Sequence, residues 1–406
     1  MFWISRLGSI LGALLFCFLL DKVTGGLSDF SSRLVVLAGL YVTLSVSLNL
    51  INGITGQFSM GHAAFYQVGA YTAGYLSVTY FSKAHLPGFL WIVLMMIVAA
   101  IGAALAGLIV GLPSLRLKGD YLAIVTLGFG EIIRIVVQNQ PSIGGAYGMN
   151  VQPKFPQLFA STGTHGVWLV WLLAILCIAV CRNLLKNVHG LPFLAVREDE
   201  IASSAMGVNV TGVKVTAFLI GSAFAGAAGA LLAHYEGFLS PTMFTMELSF
   251  IVLTMVVLGG TGSITGSTLA AIVLFYLPEK LRDLPPVPVS FLVGAVIGAV
   301  GIVVFLKKTI DNYHGSSSQK TVRMILGTAT GIVVAAALGF VLKVIPTIGH
   351  AAPVEAAKLR MVIFAVTLIF LMLLRPQGVF AHHEFSWSWV KKLLGKKDVP
   401  TTAVST

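Results

Sequence analysis

Charged side chains are scarce in this sequence. Asp, Glu, Lys and Arg make up 10% of its 406 residues, whereas soluble domains carry about 25%. Hydrophobic residues make up 57% of the chain, and its mean hydropathy is +0.92. So few charges make a single all-α polytopic membrane protein more plausible than a set of soluble domains.

Cysteine is rarer still, and the common catalytic motifs are missing. Cys17, Cys177 and Cys181 lie inside apolar runs without histidine partners, so we predict buried thiols and no metal site. The glycine-rich "GGTGSITG" lacks the G-x-x-x-x-G-K pattern of a phosphate loop, and we interpret "HHE" at 382–384 as an interfacial segment. We therefore expect a chain that is not an enzyme and binds no cofactor directly, so that any ATP is used by partner subunits.

The net charge of +11 is a basic excess. Membrane proteins concentrate Lys and Arg in their cytoplasmic loops, and this rule explains the excess. No basic stripe with interleaved aromatics is present in the sequence, so we do not expect nucleic acid as a partner.

Hydropathy predicts about ten transmembrane helices, because about 20 apolar residues cross a hydrocarbon core of roughly 30 Å. The first is followed by "DKVTGG", which lacks the cleavage pattern of a signal peptide, so we interpret it as a retained, short span. The predicted spans are 7–20, 33–51, 58–80, 89–111, 121–138, 166–181, 214–236, 289–306, 324–345 and 359–374.

The segment 247–278 contains two further apolar runs, separated by a turn with Gly259, Gly260 and Gly262. Basic residues place the loop 182–213 and both termini in the cytoplasm. These assignments agree only if 247–278 enters and leaves on the outer side, as a broken or re-entrant pair of half-length helices that lines a pathway. Two short spans joined by a tight turn are the alternative.

The stretch "AVREDEIASSAMGVN" at 195–209 is a polar loop between two apolar runs. It predicts a short helix with Asp199 or Glu198 as its N-terminal cap and Gly207 as its left-handed end. Such a helix either docks into a groove of another protein or is a solvated connecting helix on the membrane surface. Its acidic first turn and apolar face comprise Glu200, Ile201, Ala205 and Met206.

A cluster of polar residues follows the second predicted span, in "LNLINGITGQFSMGHAAF". Unsatisfied amides are costly in hydrocarbon, so the cluster indicates either a broken helix beside a substrate route or a polar cytoplasmic turn. Its members are Asn49, Asn52, Gln57, Ser59 and His62.

Glu131 and Arg134 lie three residues apart within the predicted span 121–138. Each charge costs about 2.5–3.5 kcal/mol near the bilayer centre, so we expect both to face the protein interior. At this spacing they neutralise each other on one helix face. They are either a structural pair or part of the pathway or its gate.

Several blocks resemble one known family. They are "HGLPFLAVREDEIASSAMGVNVTGVKVTAFLIGSAFAGAAGALLA" (189–233), "LNLINGITGQFSMGHAAFYQVGAYTAGYL" (48–76), "LKGDYLAIVTLGFGEIIRIVVQN" (117–139), "VVLGGTGSITGSTLAAIVL" (256–274) and "LLRPQGVF" (373–380). The sequence is similar to the branched-chain amino acid ABC transporter permeases, and in particular to their LivM type.

This resemblance implies the permease subunit of an ATP-binding cassette importer for branched-chain or other apolar amino acids in the bacterial inner membrane. The implied partners are a homologous LivH-type permease, two cytoplasmic ATPase subunits and an extracytoplasmic amino-acid-binding protein. The polar loop corresponds to a coupling helix seated in an ATPase groove. Carried over residue by residue, that contact comprises Arg197, Glu198, Asp199, Glu200, Ile201, Met206 and Gly207.

Three other functions remain open at this point: a urea or amide permease of the same family, an ion-coupled secondary transporter, and a structural membrane scaffold. The chain also departs from the family pattern, because two extra spans follow "LPEKLRDL" at 277–284. We therefore divide it into an N-terminal span and outer loop (1–32), a permease core (33–284), an inserted two-span hairpin (285–355), a final core span (356–380) and a cytoplasmic tail (381–406).

Overall fold

The structure is a computed structural model, and it describes residues 2–114, 119–155, 158 and 166–282, with the single positions 298, 301, 331 and 337. Apart from those single positions, the described residues do not include the three predicted spans after residue 285 or the inserted hairpin. They also do not include the "HHE" segment or the tail.

Helices account for nearly all of the described secondary structure. The first six are Phe2–Gly25 (α1), Asp29–Asn49 (α2), His62–Ala84 (α3), Gly88–Ser114 (α4), Asp120–Gln138 (α5) and Val167–Lys186 (α6). The next five are Leu191–Glu198 (α7), Glu200–Ala205 (α8), Val210–Glu236 (α9), Met246–Gly259 (α10) and Ile264–Arg282 (α11).

Short elements join these helices. A π-helix covers Leu50–Ile54, and 3₁₀ turns cover Pro141–Ile143, Gly145–Tyr147, Val188–Gly190 and Pro241–Met243. Two strands of two residues each, Met149–Asn150 (β1) and Phe238–Leu239 (β2), pair antiparallel. This ladder ties the loop after α5 to the chain that follows α9.

Six helical segments in the described part are long and apolar enough to cross a membrane. They are Asp29–Ile54, Gly88–Leu112, Tyr121–Gln138, Val167–Lys186, Val210–Glu236 and Pro241–Gly259. The prediction of an all-α polytopic protein is confirmed. The predicted first span at 7–20 lies within α1, which has 24 residues and extends beyond that apolar run into its polar flanks.

Small residues let α9 pack closely between α3 and α4. A Cβ atom added at Gly69 of α3 would lie 2.2 Å from the carbonyl oxygen of Gly226 on α9. A Cβ atom added at Gly226 would lie 2.3 Å from Cβ of Ala103 on α4. Glycine is therefore required at both contacts, as is common where helices pack without a hydrophobic driving force.

Between α9 and α10 the chain is mostly non-helical and partly buried. Leu239 pairs with Met149, and the ring of Phe244 lies 5.4 Å from that of Tyr66 and 6.0 Å from that of Tyr71. Residues 238–245 therefore run alongside α3, with Leu239 and Phe244 buried and Phe238 exposed. Irregular backbone beside a membrane-spanning helix is tolerated where protein surrounds it.

The helix pair predicted at 247–278 has arms of unequal length. α10 has 14 residues and α11 has 19, which correspond to about 21 Å and about 28 Å at 1.5 Å per residue. The prediction of two half-length helices is therefore wrong for α11. The turn between them has positive φ angles at Gly260 (113°) and Gly262 (92°).

Candidate functional site

The polar cluster of the sequence forms a buried break between α2 and α3. After the π-helix, Gly56 adopts a φ of 71°, and the backbone N–H of Gln57 donates to the carbonyl oxygen of Ile51 at 3.1 Å. A Cβ atom added at Gly61 would lie 2.3 Å from the carbonyl oxygen of Thr126 on α5. The glycines thus let the chain reverse tightly and pass close to α5, a geometry that fits both a broken helix and a polar cytoplasmic turn.

Asn49, at the end of α2, holds the α10–α11 turn. Its Oδ1 accepts a hydrogen bond from the N–H of Gly262 at 2.8 Å, and its Nδ2 donates to the carbonyl oxygen of Ser263 at 3.1 Å. Asn49 is fully buried. The structure therefore brings two separate sequence-predicted groups together, the polar cluster and the glycine turn.

The remaining members of the cluster make local or neighbouring contacts. Asn52 closes the break, because its amide donates to the carbonyl of Ser59 at 3.0 Å and accepts from the N–H of Ser59 at 3.2 Å. Gln57 donates to the Thr55 hydroxyl at 3.1 Å. His62 Nε2 is hydrogen-bonded to the Ser47 hydroxyl at 2.8 Å.

The polar loop forms the predicted short helix, α8. Asp199 is its N-terminal cap, and Oδ1 of Asp199 accepts from the N–H of Ile201 at 2.8 Å and of Ala202 at 3.1 Å. Gly207 follows the helix with a φ of 85°. The predicted cap and terminator are confirmed, since capping signals are local in sequence.

The apolar face of this helix is exposed. The side chain of Ile201 is 74% exposed and that of Met206 is 85% exposed. Three further apolar side chains, in and before α7, are also exposed: Val188, Leu191 and Leu194. We call these five side chains the docking patch.

An ion pair fixes α8 to the bundle. Nζ of Lys214, on the first turns of α9, pairs with Oε1 of Glu200. Lys214 is only 5% exposed, and a buried charge is stable only when it is paired. Glu198, two residues earlier, is exposed.

Arg197 points inward from the loop. A Cβ atom added at Gly262 would lie 2.5 Å from Nη1 of Arg197, and one added at Gly56 would lie 3.5 Å from its Cα. Arg197 is half-buried. It therefore connects the loop that carries α8 with both the break after α2 and the α10–α11 turn.

Glu131 and Arg134 form the predicted pair on α5. Nε of Arg134 donates to Oε2 of Glu131 at 2.8 Å, and Nη2 lies 2.7 Å from the same oxygen. The two side chains are 18% and 25% exposed, so they lie at the edge of the described bundle, and the prediction that both face its interior is only partly correct.

Glu131 lines a small, half-open concavity between α5, the start of α3 and the start of α10, with a volume of about 10 Å³, which is room for about one water molecule. Among the described residues that line it, Glu131 is the charged one, and the others are apolar or carry hydroxyl groups. The other lining residues are Met60, Ala63, Ala64, Leu127, Gly130, Phe244, Thr245, Met246 and Ser249.

The family described as "Branched-chain amino acid transport system / permease component" matches residues 30–304, from the start of α2 through α11 and beyond. The chain belongs to this family. Together with the six candidate spans, this makes it a multi-pass membrane protein of the permease type. No solved structure matches the chain.

Named relatives of the permease agree with the family match. It is 39% identical over 290 residues to the "High-affinity branched-chain amino acid transport system permease protein LivM" of Escherichia coli K12, covering 65% of this chain and 66% of that protein. It is 28% identical over 298 residues to the "Probable branched-chain amino acid transport permease protein LivM" of Methanocaldococcus jannaschii, covering 66% and 85%. Identity to the LivH permease of Escherichia coli K12 is 24% over 255 residues, covering 59% and 81%. The match thus spans just under two thirds of the Escherichia coli LivM protein.

Sequence reasoning about this permease missed several residues. Val188, Leu191 and Leu194 recur every third position in "NVHGLPFLAV", a spacing that could have indicated an apolar face beside α8. Lys214 is a single base in the apolar run of α9, which could have indicated a buried ion pair. Gln67, whose side-chain amide is buried without hydrogen-bond partners in the described part of the chain, was missed because no spacing pattern on α3 marks its position.

Among the described residues, no group of three or more His, Cys, Asp or Glu could hold a metal ion.

Proposed function

We propose that this chain is the permease subunit of an ATP-binding cassette importer that moves branched-chain or other apolar amino acids across the bacterial inner membrane. The family match and the names of the LivM and LivH relatives support this function. Its partners would be a homologous LivH-type permease, two cytoplasmic ATPase subunits and an extracytoplasmic amino-acid-binding protein. ATP would be hydrolysed by the partners, and the chain itself would bind no cofactor.

The observation that carries this proposal is the exposed docking patch on a rigidly held helix. Ile201 and Met206 would lose most of their exposed apolar surface on entering a groove, at about 25 cal/mol per Å² buried. The Asp199 cap and the Glu200–Lys214 pair hold α8 in place, so force on the patch would pass to α9. Arg197 would pass it to the α10–α11 turn.

The same proposal places both termini, and the loop that carries α8, on the cytoplasmic side. Met206 precedes the N-terminal end of α9, whereas Tyr147 lies beside β1, which pairs with the strand after the C-terminal end of α9. A helix of 27 residues spans about 40 Å. The two exposed side chains thus lie at opposite ends of the bundle and would face opposite sides of the membrane.

Site-specific photo-crosslinking tests this arrangement in cells that express the complete transporter. A benzophenone side chain at Met206 should crosslink to the ATPase subunit, and one at Tyr147, which is at least as exposed, should not. Failure of the Met206 probe to capture an ATPase during active amino-acid import would overturn the proposed docking role.

The other functions predict different outcomes. If the chain is a urea or amide permease, its binding protein should retain urea or amides and not leucine. An ion-coupled secondary transporter would import solute without an ATPase and would tolerate substitutions at 197–200. A structural scaffold would support no solute uptake in proteoliposomes.

A further inference from the structure

Helix α3 buries two polar side chains without hydrogen-bond partners in the described part of the chain. Both amide atoms of Gln67 and the hydroxyl of Tyr71 are buried and unpaired there. Gln67 is 0% exposed. Each such group costs about 1–3 kcal/mol, and native proteins retain few of them. Their retention points to a polar ligand.

Both groups lie on the face of α3 that the chain 239–249 covers. Gln67 and Tyr71 are one helical turn apart, and Ala63 is one turn before Gln67, so the three share a face. The N–H of Ala63 donates to the Ser249 hydroxyl at 3.2 Å, and the ring of Tyr71 meets that of Phe244 at 6.0 Å. Gln67 therefore lies between two points where this chain touches α3.

Phe244 belongs both to this cover and to the Glu131 concavity. Its ring is buried and packs edge-on against Tyr66 and Tyr71, and Phe244 is also among the residues that line the concavity. One aromatic side chain thus lies between the open concavity and the unpaired groups of α3. Phe244 is on non-helical backbone, just before α10, where a shift would not require a helix to break.

Glu131 has capacity for a cationic ligand. Both contacts from Arg134 fall on Oε2, and each carboxylate oxygen can accept its own hydrogen bonds. Oε1 therefore takes no bond from Arg134. Glu131 lies near the middle of the candidate span Tyr121–Gln138, and transporters commonly bind substrate near the bilayer midplane.

We propose that the concavity and the groups behind Phe244 form one binding site for the zwitterionic head of an amino acid. The Glu131 carboxylate binds the ammonium group, and the Gln67 amide and the Tyr71 hydroxyl donate to the carboxylate once Phe244 moves aside. Met60, Leu127 and Met246 supply an apolar wall for an aliphatic side chain. This site rests on the proposed function and names where its substrate binds.

The test uses the complete transporter in proteoliposomes with saturating leucine-loaded binding protein, so that delivery does not limit uptake. Gln67→Leu and Tyr71→Phe remove the unpaired groups with little change in volume. They should leave the Tm of the complex unchanged or raised, because an unpaired buried group is removed. Leucine uptake should nevertheless fall at least 10-fold. A purely structural role for these groups would not combine these two effects.

Tyr75→Phe is the matched control, since Tyr75 lies one turn further along α3 with an exposed side chain, and its uptake should equal that of the wild type. Wild-type uptake in Tyr71→Phe, with the Tm maintained, would overturn the site and leave the proposed function intact. If Gln67→Leu does not assemble, Tyr71→Phe alone decides. If the wild-type complex imports no branched-chain amino acid, the proposed function fails and the site fails with it.

Discussion

A Cβ atom at Gly262 would lie 2.5 Å from Nη1 of Arg197, so the loop that carries α8 and the turn between α10 and α11 are in direct contact. The two positions are distant in sequence, and neither lies on the docking patch. Movement of the loop would therefore reach the turn through the guanidinium group of Arg197. This contact makes the turn a candidate for the part of the bundle that responds to the ATPases.

Gly262→Ala should reduce leucine uptake per ATP hydrolysed. Its positive φ imposes strain of about 1–3 kcal/mol on a side chain, and the added methyl group also displaces Arg197. Uptake and phosphate release, measured together in proteoliposomes, check this. Gly119→Ala is the control, because Gly119 also has positive φ (58°) but its added Cβ meets nothing within 4 Å in the described part of the chain. Equal coupling in the two variants would contradict the role of Arg197.

Asn49→Asp should destabilise the complex strongly. The carboxylate keeps the acceptor for Gly262 but loses the donor to Ser263, and it buries a charge, which costs at least about 1–3 kcal/mol. Thermal unfolding in detergent measures this loss. Asn52→Asp removes the same kind of two-bond contact, with Ser59, at a half-buried position, and it should lower the Tm less.

Glu200→Gln should loosen α8 by leaving the charge of Lys214 unpaired. Breaking a fully buried ion pair costs about 3–5 kcal/mol, and we expect about 1–3 kcal/mol because Glu200 is partly exposed. Limited proteolysis at 199–209, together with ATPase co-purification, checks the result. The exposed Glu198→Gln should behave as wild type, and Lys214→Met should restore stability to Glu200→Gln. Without that rescue, the ion pair is not what holds the helix.

Two glycine-to-alanine changes should alter the stability of the protein in opposite directions. Gly69→Ala places a methyl group 2.2 Å from a backbone oxygen of α9, and overpacking of this kind costs about 1–3 kcal/mol. Gly128→Ala on α5 meets nothing within 4 Å, so it should stabilise the helix by up to about 1 kcal/mol. Tm values of the two variants check both signs, and a loss of stability in Gly128→Ala would indicate a neighbour at that position.

Local signals made much of the fold predictable. The apolar runs located the described spans, and Asp199 and Gly207 located the two ends of α8, because caps act on neighbouring backbone groups. The π-helix Leu50–Ile54 was not predicted, since its geometry depends on how Asn49 and Gly53 pack against the α10–α11 turn. The unequal arms of α10 and α11 were missed because α11 does not end with its apolar run but continues through Pro278 to Arg282, and hydropathy does not register such a polar extension.

The candidate site was predictable only in part. Glu131 and Arg134 were found because charges in an apolar run are conspicuous, and their spacing gave the pair. Gln67 and Tyr71 were not, because no pattern of polarity on α3 distinguishes a buried face from one that meets lipid. The pairing of Glu200 with Lys214 also depends on how α9 leaves the loop, which sequence spacing does not determine.

The three thiols of the chain are all buried, Cys17 in α1 and Cys177 and Cys181 in α6. A water-soluble maleimide should therefore not react with the native protein. Single cysteines introduced at Met206 and Tyr147 would carry the only dyes, one at each end of α9. Energy transfer between the two dyes would report whether the two ends of the protein change their separation during each transport cycle. The three native cysteines would not need to be replaced for this measurement.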